Sequence, residues 1–263
     1  MSTPPIRQAG QHFVITGAGS GIGRAIAIRL AAEGANVSLL GRRVELLEET
    51  AAAAVEAGAV LAQGVAADVR SQASVDAAFD EAADALGPIR GLVAAAGVGG
   101  PNMPGAGDRF LDVIETNLHG TYWSLRAAQR HLAEGPETRH LVVIASILAR
   151  FGVAGHTAYC ASKAGLLGLT RALALEVAQQ NVQVNAVCPG WVETDMAWEG
   201  IDNLATIIGG TREKALASAM RQVPLGRMSQ PSEVAGLIAW LVSEDARGVT
   251  GQGIDINNGA WMG

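Results

Sequence analysis

The run His12-Phe13-Val14-Ile15-Thr16-Gly17-Ala18-Gly19-Ser20-Gly21-Ile22-Gly23 decides how this chain folds. It opens as a short apolar strand, turns glycine-rich at Gly17, and passes into a helical pattern from Arg24 to Glu33. Strand, glycine-rich turn and helix in succession form the context a dinucleotide site requires. Glycines allow the tight turn and the close backbone approach, and the helix N-terminus faces the pyrophosphate. The plainer alternative is an ordinary tight β–α turn.

Working outward, Gly34-Ala35-Asn36 ends that helix, and Val37 to Leu40 is a second strand closed by Gly41-Arg42-Arg43. At this position an acid holds the ribose 2′-hydroxyl in NAD sites, whereas Arg accommodates the 2′-phosphate of NADP. The acid is absent here, and Arg42 and Arg43 suit bidentate phosphate contact, so NADP(H) is favoured and NAD(H) stays possible. Alternatively the two Arg simply open a solvated helix, Val44 to Ala57. Val60 to Val65 is a third strand, followed by Asp68-Val69, where Asp68 either accepts from an adenine amino group or caps the next helix, Ser71 to Leu86. Ile89 to Ala95 is the fourth strand, ending at Gly97, and a Gly/Pro loop runs from Gly99 to Gly107. Phe110 to Leu132 reads as a long helix interrupted near Asn117. Leu141 to Ile144 is a continuous apolar run, as a parallel strand covered on both faces requires. Ser146 and the loop Ile147 to His156 lead to a further helix. After it come Val182 to Val187 (strand), Pro189-Gly190, an irregular stretch over 191–222, Pro231 to Val242 (helix) and Ile254 to Ile256 (strand).

This alternation predicts an α/β fold, one doubly wound Rossmann-like parallel sheet with helices on both faces. With no repeat, linker or low-complexity tract, residues 1–263 are expected to form a single domain, residues 1–10 being a loose arm.

The helix after Ser146 carries Tyr159 and Lys163, which share a face at i and i+4. An ammonium beside a phenol favours phenolate, so Lys163 is expected to lower the Tyr159 pKa from about 10 and make an acid–base group. Cys160 lies about 100° round the helix from Tyr159, where packing suits it better than nucleophilic catalysis.

Composition excludes several classes. The chain has 263 residues, 49% hydrophobic and 17% charged, with 33 Gly, which describes a globular protein rather than a disordered one. A net charge of −6 argues against a general nucleic-acid binder. Cys160 and Cys188 make neither a disulfide framework nor a metal site, and His12, His119, His131, His140 and His156 have no ligand spacing, so no metal is implied. His156 could reach the substrate entrance. No basic-plus-apolar leader and no apolar run of about 18 residues occurs, so a cytoplasmic protein without a membrane span is expected.

Taken together, Thr16-Gly17-x-x-x-Gly21-x-Gly23, Asp68, Asn117, Ser146 thirteen residues before Tyr159, Tyr159-x-x-x-Lys163, and Pro189-Gly190 with Thr194 resemble the short-chain dehydrogenase/reductase family over nearly the whole chain. The resemblance implies a seven-stranded sheet in the order 3-2-1-4-5-6-7. It implies that Ser146 donates to a substrate carbonyl while Tyr159 supplies or removes the proton. Lys163 would also hold the nicotinamide ribose, and Asn117 would hold a water relaying protons from Lys163 to solvent. Gly17, Gly19, Ser20, Gly21, Ile22, Gly23, Arg42, Arg43, Asp68, Val69, Ala95 and Gly97 would line the nucleotide, with Pro189, Gly190, Val192 and Thr194 near the nicotinamide. The segment 191–222, bearing Trp191, Met196, Trp198 and Met220, would be a mobile apolar lid favouring a hydrophobic or acyl-thioester substrate. The implied activity interconverts a ketone and a secondary alcohol, most like the 3-oxoacyl or polyketide-type ketoreductases. Alternatives are an NAD-dependent catabolic alcohol or 3-hydroxyacyl dehydrogenase and, more remotely, a non-catalytic nucleotide sensor. A homotetramer is implied, with the helices bearing Asn117 and Tyr159 and the last strand at its interfaces. Two features depart from the family pattern. Ala94-Ala95-Ala96-Gly97 replaces Asn-Asn-Ala-Gly, removing two amides from the adenosine side, and Ser20 stands where some NADP-dependent members carry Arg or Lys.

Overall fold

In β1 (His12–Thr16), Val14 packs into one apolar cluster, while Phe13 and Ile15 pack into another. A strand covered on both faces must divide its side chains this way, because they alternate with a period of two. The computed structural model describes residues 6–263 and repeats this division across the sheet. Its other strands are β2 (Asn36–Gly41), β3 (Ala62–Ala66), β4 (Gly91–Ala94), β5 (Arg139–Ile144), β6 (Val182–Pro189) and β7 (Gly253–Ile256). All neighbours are parallel, in the order β3-β2-β1-β4-β5-β6-β7, as the family resemblance implied.

One face is covered by α1 (Gly21–Ala32), α2 (Val44–Ala57) and α9 (Pro231–Leu241), through Ile26, Leu30, Leu47 and Ile238. The other is covered by α3 (Gln72–Leu86), α5 (Gly120–Arg130) and α6 (Thr157–Val177), through Phe79, Leu125 and Leu166. Each such fully buried side chain contributes about 1.5–3 kcal/mol. The chain winds one way from β1 to β3 and the other way from β4, so a crevice opens at the carboxyl ends of β1 and β4.

The structure corrects two expectations and shows the form of a third. Residues 191–222 are not irregular: they hold α7 (Asp195–Ile208) and α8 (Arg212–Met220), capped by the Thr194 and Thr211 hydroxyls. The pair closes around an apolar centre of its own, Ile201, Ala205, Ala215 and Ala219, with Trp191, Trp198 and Met220 packed on it. The interruption near Asn117 is a π-helical turn, Glu115–His119, between α4 (Phe110–Ile114) and α5. Residues 7–10 are not a loose arm, since Gln8 is buried and its amide donates to the Val242 carbonyl at 2.9 Å. The first five residues of that arm lie outside the described ones. Among the described residues no helix is long and apolar enough to cross a membrane.

Candidate active site

On the side expected to hold the nucleotide, the geometry is made of backbone. Gly17 and Gly21 hold φ of 67° and 54°, a region that only glycine occupies freely. A Cβ on Gly17 would meet the Ala96 backbone at 2.8 Å, and one on Gly23 would lie 2.4 Å from the Gly17 carbonyl oxygen. Ser20 is the N-cap of α1 but gives it no side-chain cap, and the first turn carries no acid. The leading N–H groups of α1 therefore have no side-chain acceptor, the condition in which a helix N-terminus takes a phosphate. The Ser20 hydroxyl instead accepts from Arg43 at 3.1 Å. Gly19 packs on Leu46 of α2, and the Ile22 side chain on the core.

The Ala94-Ala95-Ala96 segment is tied to β1 by the Thr16 hydroxyl, which accepts from the Ala95 and Ala96 N–H groups, each at 3.1 Å. Thr16 stands in the quoted motif, yet its part in the site was not read from the sequence. Asp68 does not cap α3, a task done by the Ser71 hydroxyl. Its carboxylate is held by the Arg70 guanidinium at 2.6 Å, and Arg70 first, Arg42 more weakly, keeps it below the ordinary carboxylate range. Val69 is buried against Gly120, where a Cβ would come within 2.7 Å of it. Arg42 and Arg43 are both exposed at the end of β2. This set fits an NADP-type dinucleotide: bare turn, uncapped helix start and two guanidiniums.

On the side expected to meet the substrate, the geometry is made of side chains. Lys163 is buried and donates to the Ile144 carbonyl at 2.8 Å, at the end of β5 and close to Ser146. Its Nζ lies 5.7 Å from the centre of the Tyr159 ring. Burial pushes the Lys163 pKa down to about 8. Tyr159 moves opposite to expectation. Burial raises its pKa, and Ser146 pulls the other way. The reason is geometric, for the ammonium is directed at the Ile144 carbonyl and is itself desolvated. Ser146 caps a short 3₁₀ turn, its hydroxyl accepting from Leu148 N at 3.1 Å.

Asn117 is fully buried in the π turn. Its Oδ1 accepts from Val98 N at 2.8 Å, and its Nδ2 donates to Val98 O at 3.0 Å and Ser162 Oγ at 3.2 Å. Gly97 sits between them: a Cβ there would be 3.2 Å from Asn117 Oδ1 and 3.5 Å from Lys163 Nζ. The π turn thus holds Asn117 against the segment just after β4, beside Lys163. Pro189 ends β6, and Gly190 abuts Asn257. Val192 pairs with Ser229, and Thr194 caps α7 with its methyl facing Gly21, where a Cβ would meet it at 3.2 Å. The loop after β6 thus returns to the glycine turn.

Two residues absent from the sequence reading fasten the walls. Asn102 accepts from Ala158 N at 2.9 Å and donates to Thr157 Oγ1 at 3.0 Å, supplying the cap that His156 does not give α6. Ser162 joins Asn117 to α6, its hydroxyl donating to the Tyr159 carbonyl at 2.8 Å. Ser162 lies within the Tyr159–Lys163 interval and so was findable. Asn102 has no local signal. Met196 of α7 lies over Gly99, where a Cβ would be 3.0 Å from its sulfur.

Comparison with known proteins shows what the whole chain resembles. The family profile described as Enoyl-(Acyl carrier protein) reductase matches residues 17–260. A candidate ketoacyl reductase of Streptomyces coelicolor is 40% identical over 96% of this chain and 97% of its own. The 3-oxoacyl-[acyl-carrier-protein] reductase FabG of Pseudomonas aeruginosa is 36% identical over 96% of this chain and 98% of its own. Among solved structures, a tryptophan variant of actinorhodin polyketide ketoreductase with NADPH superposes with a TM-score of 0.88 at 37% identity, over 95% of this chain and 97% of that one.

Proposed function

Since the chain belongs to the short-chain dehydrogenase/reductase family, we propose that it is an NADPH-dependent ketoreductase reducing a 3-oxoacyl or polyketide-type ketone to a secondary alcohol. The observation that carries the reading is buried Lys163, one helical turn from Tyr159 with its Nζ 5.7 Å from that ring, backed by buried Ser146 and Asn117 beside an uncapped helix N-terminus. NADPH, when bound, supplies hydride to the carbonyl carbon. As that carbon is reduced, negative charge grows on the carbonyl oxygen, and the Ser146 and Tyr159 hydroxyls are the donors that meet it. A phenol, with an ordinary pKa of about 10, is protonated at neutral pH, the form a reductase needs. Lys163, with a pKa of about 8, can give or take a proton near neutrality, and Asn117 fixes the backbone beside it. Arg42 and Arg43 favour the 2′-phosphate. The NAD-dependent dehydrogenase is not favoured, since the superposed ketoreductase structure contains NADPH.

The reading includes a cytoplasmic homotetramer formed through α5, α6 and β7, supported by Leu175 of α6 being 82% exposed. It also includes α7 and α8 closing as an apolar lid over the substrate. The test is a set of initial rates with NADPH and NADH against 3-oxoacyl thioesters, aryl ketones, cyclic ketones and an enoyl thioester. At least about tenfold higher kcat/KM with NADPH on a ketone is expected. Preference for NADH would overturn the cofactor assignment. Turnover of the enoyl thioester alone would move the reaction to the carbon–carbon double bond named in the family description.

A further inference from the structure

The residues after β7 take no part in that chemistry, yet three separate parts of the substrate side meet on them. Asn257 is buried, and its Oδ1 accepts from Gly259 N at 3.0 Å and Trp261 N at 3.5 Å, while its Nδ2 donates to Trp261 O at 3.2 Å. One amide thus folds 257–261 into a closed turn, helped by Asn258 at φ 54°, as short amide side chains do in turns. Asn257 also packs against Gly190, where a Cβ would approach it to 3.0 Å.

The turn reaches the exit of the α7–α8 pair. The Asn258 carbonyl accepts from Leu225 N at 3.2 Å, its Nδ2 donates to Arg227 O at 3.0 Å, and Gly259 abuts Pro224. In the other direction Trp261 stacks on Phe151, with ring centres 5.6 Å apart and planes at 29°. Phe151 belongs to the loop that begins at Ser146. Its neighbour Arg150 is paired independently with Asp255 at 3.0 Å and with the Gly253 carbonyl at 2.7 Å.

Resting on the ketoreductase reading, we propose that 257–261 is a clasp joining the lid exit to the Ser146 loop, with Trp261 as the positioning residue that closes it. Both walls of the substrate cleft have anchors of their own, the Arg150–Asp255 pair for the loop and the Ile201–Ala215 centre for the lid. Opening the stack therefore leaves the fold standing and lets the two walls move independently, which weakens substrate capture. Trp261 touches neither the carbonyl nor the proton donors, so kcat and cofactor binding are preserved.

The experiment compares Trp261→Ala and Trp261→Phe with the parent, by steady-state kinetics with NADPH and a ketone, and by amide hydrogen exchange. In Trp261→Ala the ketone KM rises about five- to tenfold while kcat and the NADPH KM stay within about twofold, and Trp261→Phe returns the ketone KM to within about twofold. Exchange speeds up together in 147–156 and 223–228 and is unchanged in β1, β2 and β3. A parent-like ketone KM in Trp261→Ala, faster exchange confined to 257–263, or equal loss of kcat and both KM values in the two variants would each overturn the clasp. If the parent reduces no ketone with NADPH, the ketoreductase reading fails by itself, and the exchange pattern still decides the clasp.

Discussion

The sides of the cleft proposed for nucleotide and for substrate are built from different materials. On the nucleotide side, Gly17, Gly21 and Gly23 present bare backbone, and no space remains for a Cβ at Gly17 or Gly23. On the substrate side, the walls are side chains from distant segments: Asn102 with Thr157, Arg150 with Asp255, Phe151 with Trp261. A backbone-built surface is ruined by adding an atom, whereas a side-chain surface is ruined by removing one. The first should be intolerant of change and indifferent to substrate, and the second open to substitution and able to set specificity.

The largest effect expected tests the removal rule at its centre. Tyr159→Phe deletes one oxygen and should lower kcat for ketone reduction about 10³-fold, with Tm within about 3 °C of the parent. A variant turning over like the parent would end the mechanism. On the opposite side, Gly23→Ala adds one carbon 2.4 Å from the Gly17 carbonyl oxygen. Overpacking against backbone should cost about 1–3 kcal/mol, or about 3–10 °C in Tm, and weaken NADPH more than about tenfold. Unchanged NADPH affinity would show that the glycine turn does not receive the pyrophosphate.

The same contrast decides what could be read from the sequence. β1 and α2 have the expected bounds, because strand, turn and helix signals there are local. The Ser146, Tyr159 and Lys163 spacing was legible for that reason too. The Asn102 cap and the Phe151–Trp261 stack were not, since partners 55 and 110 residues apart leave no periodic trace. The α7–α8 pair was missed although its signals are present. Thr194 and Thr211 are N-caps, and Gly209 in the left-handed region ends α7; a stretch rich in Trp and Met masked them. The direction of the Tyr159 shift could not be read at all. Spacing places an ammonium near a phenol but says nothing of the Ile144 carbonyl that takes it.

Lys163 sharpens the comparison, since here removal should spare stability at neutral pH while abolishing function. Its pKa falls from 10.5 to about 8, so at neutral pH the buried charge opposes folding by about 3 kcal/mol. The sign follows from proton binding. Below about pH 8 both folded and unfolded chains hold the proton and the penalty is full. From there to 10.5 the folded chain releases it first, so the parent gains stability as pH rises. Lys163→Met loses the hydrogen bond from a charged donor to Ile144, worth about 1.5–3 kcal/mol. It should therefore match the parent or exceed it by about 1 kcal/mol at pH 7, and fall below it by pH 10.5, where the parent has shed the penalty. Chemical unfolding at both pH values measures it, and a variant less stable at pH 7 would show that Lys163 is held by more than the Ile144 carbonyl.

The smallest effect falls on Asn102, and it separates a wall from a cap. Asn102→Ala removes the acceptor for Ala158 N and the donor to Thr157 Oγ1, leaving the first turn of α6 without a side-chain cap, since His156 supplies none. Loss of a cap costs about 1 kcal/mol, and here that cost lands one residue before Tyr159. Amide exchange over 157–160 should quicken about fivefold, with Tm falling about 2–4 °C. The ketone kcat should fall only about threefold, because Lys163, deeper in the helix, still holds Ile144 at 2.8 Å. Exchange unchanged at 157–160 would mean that the helix start is fixed from within α6, and that the Gly99–Gly107 loop lines the cleft without bracing it.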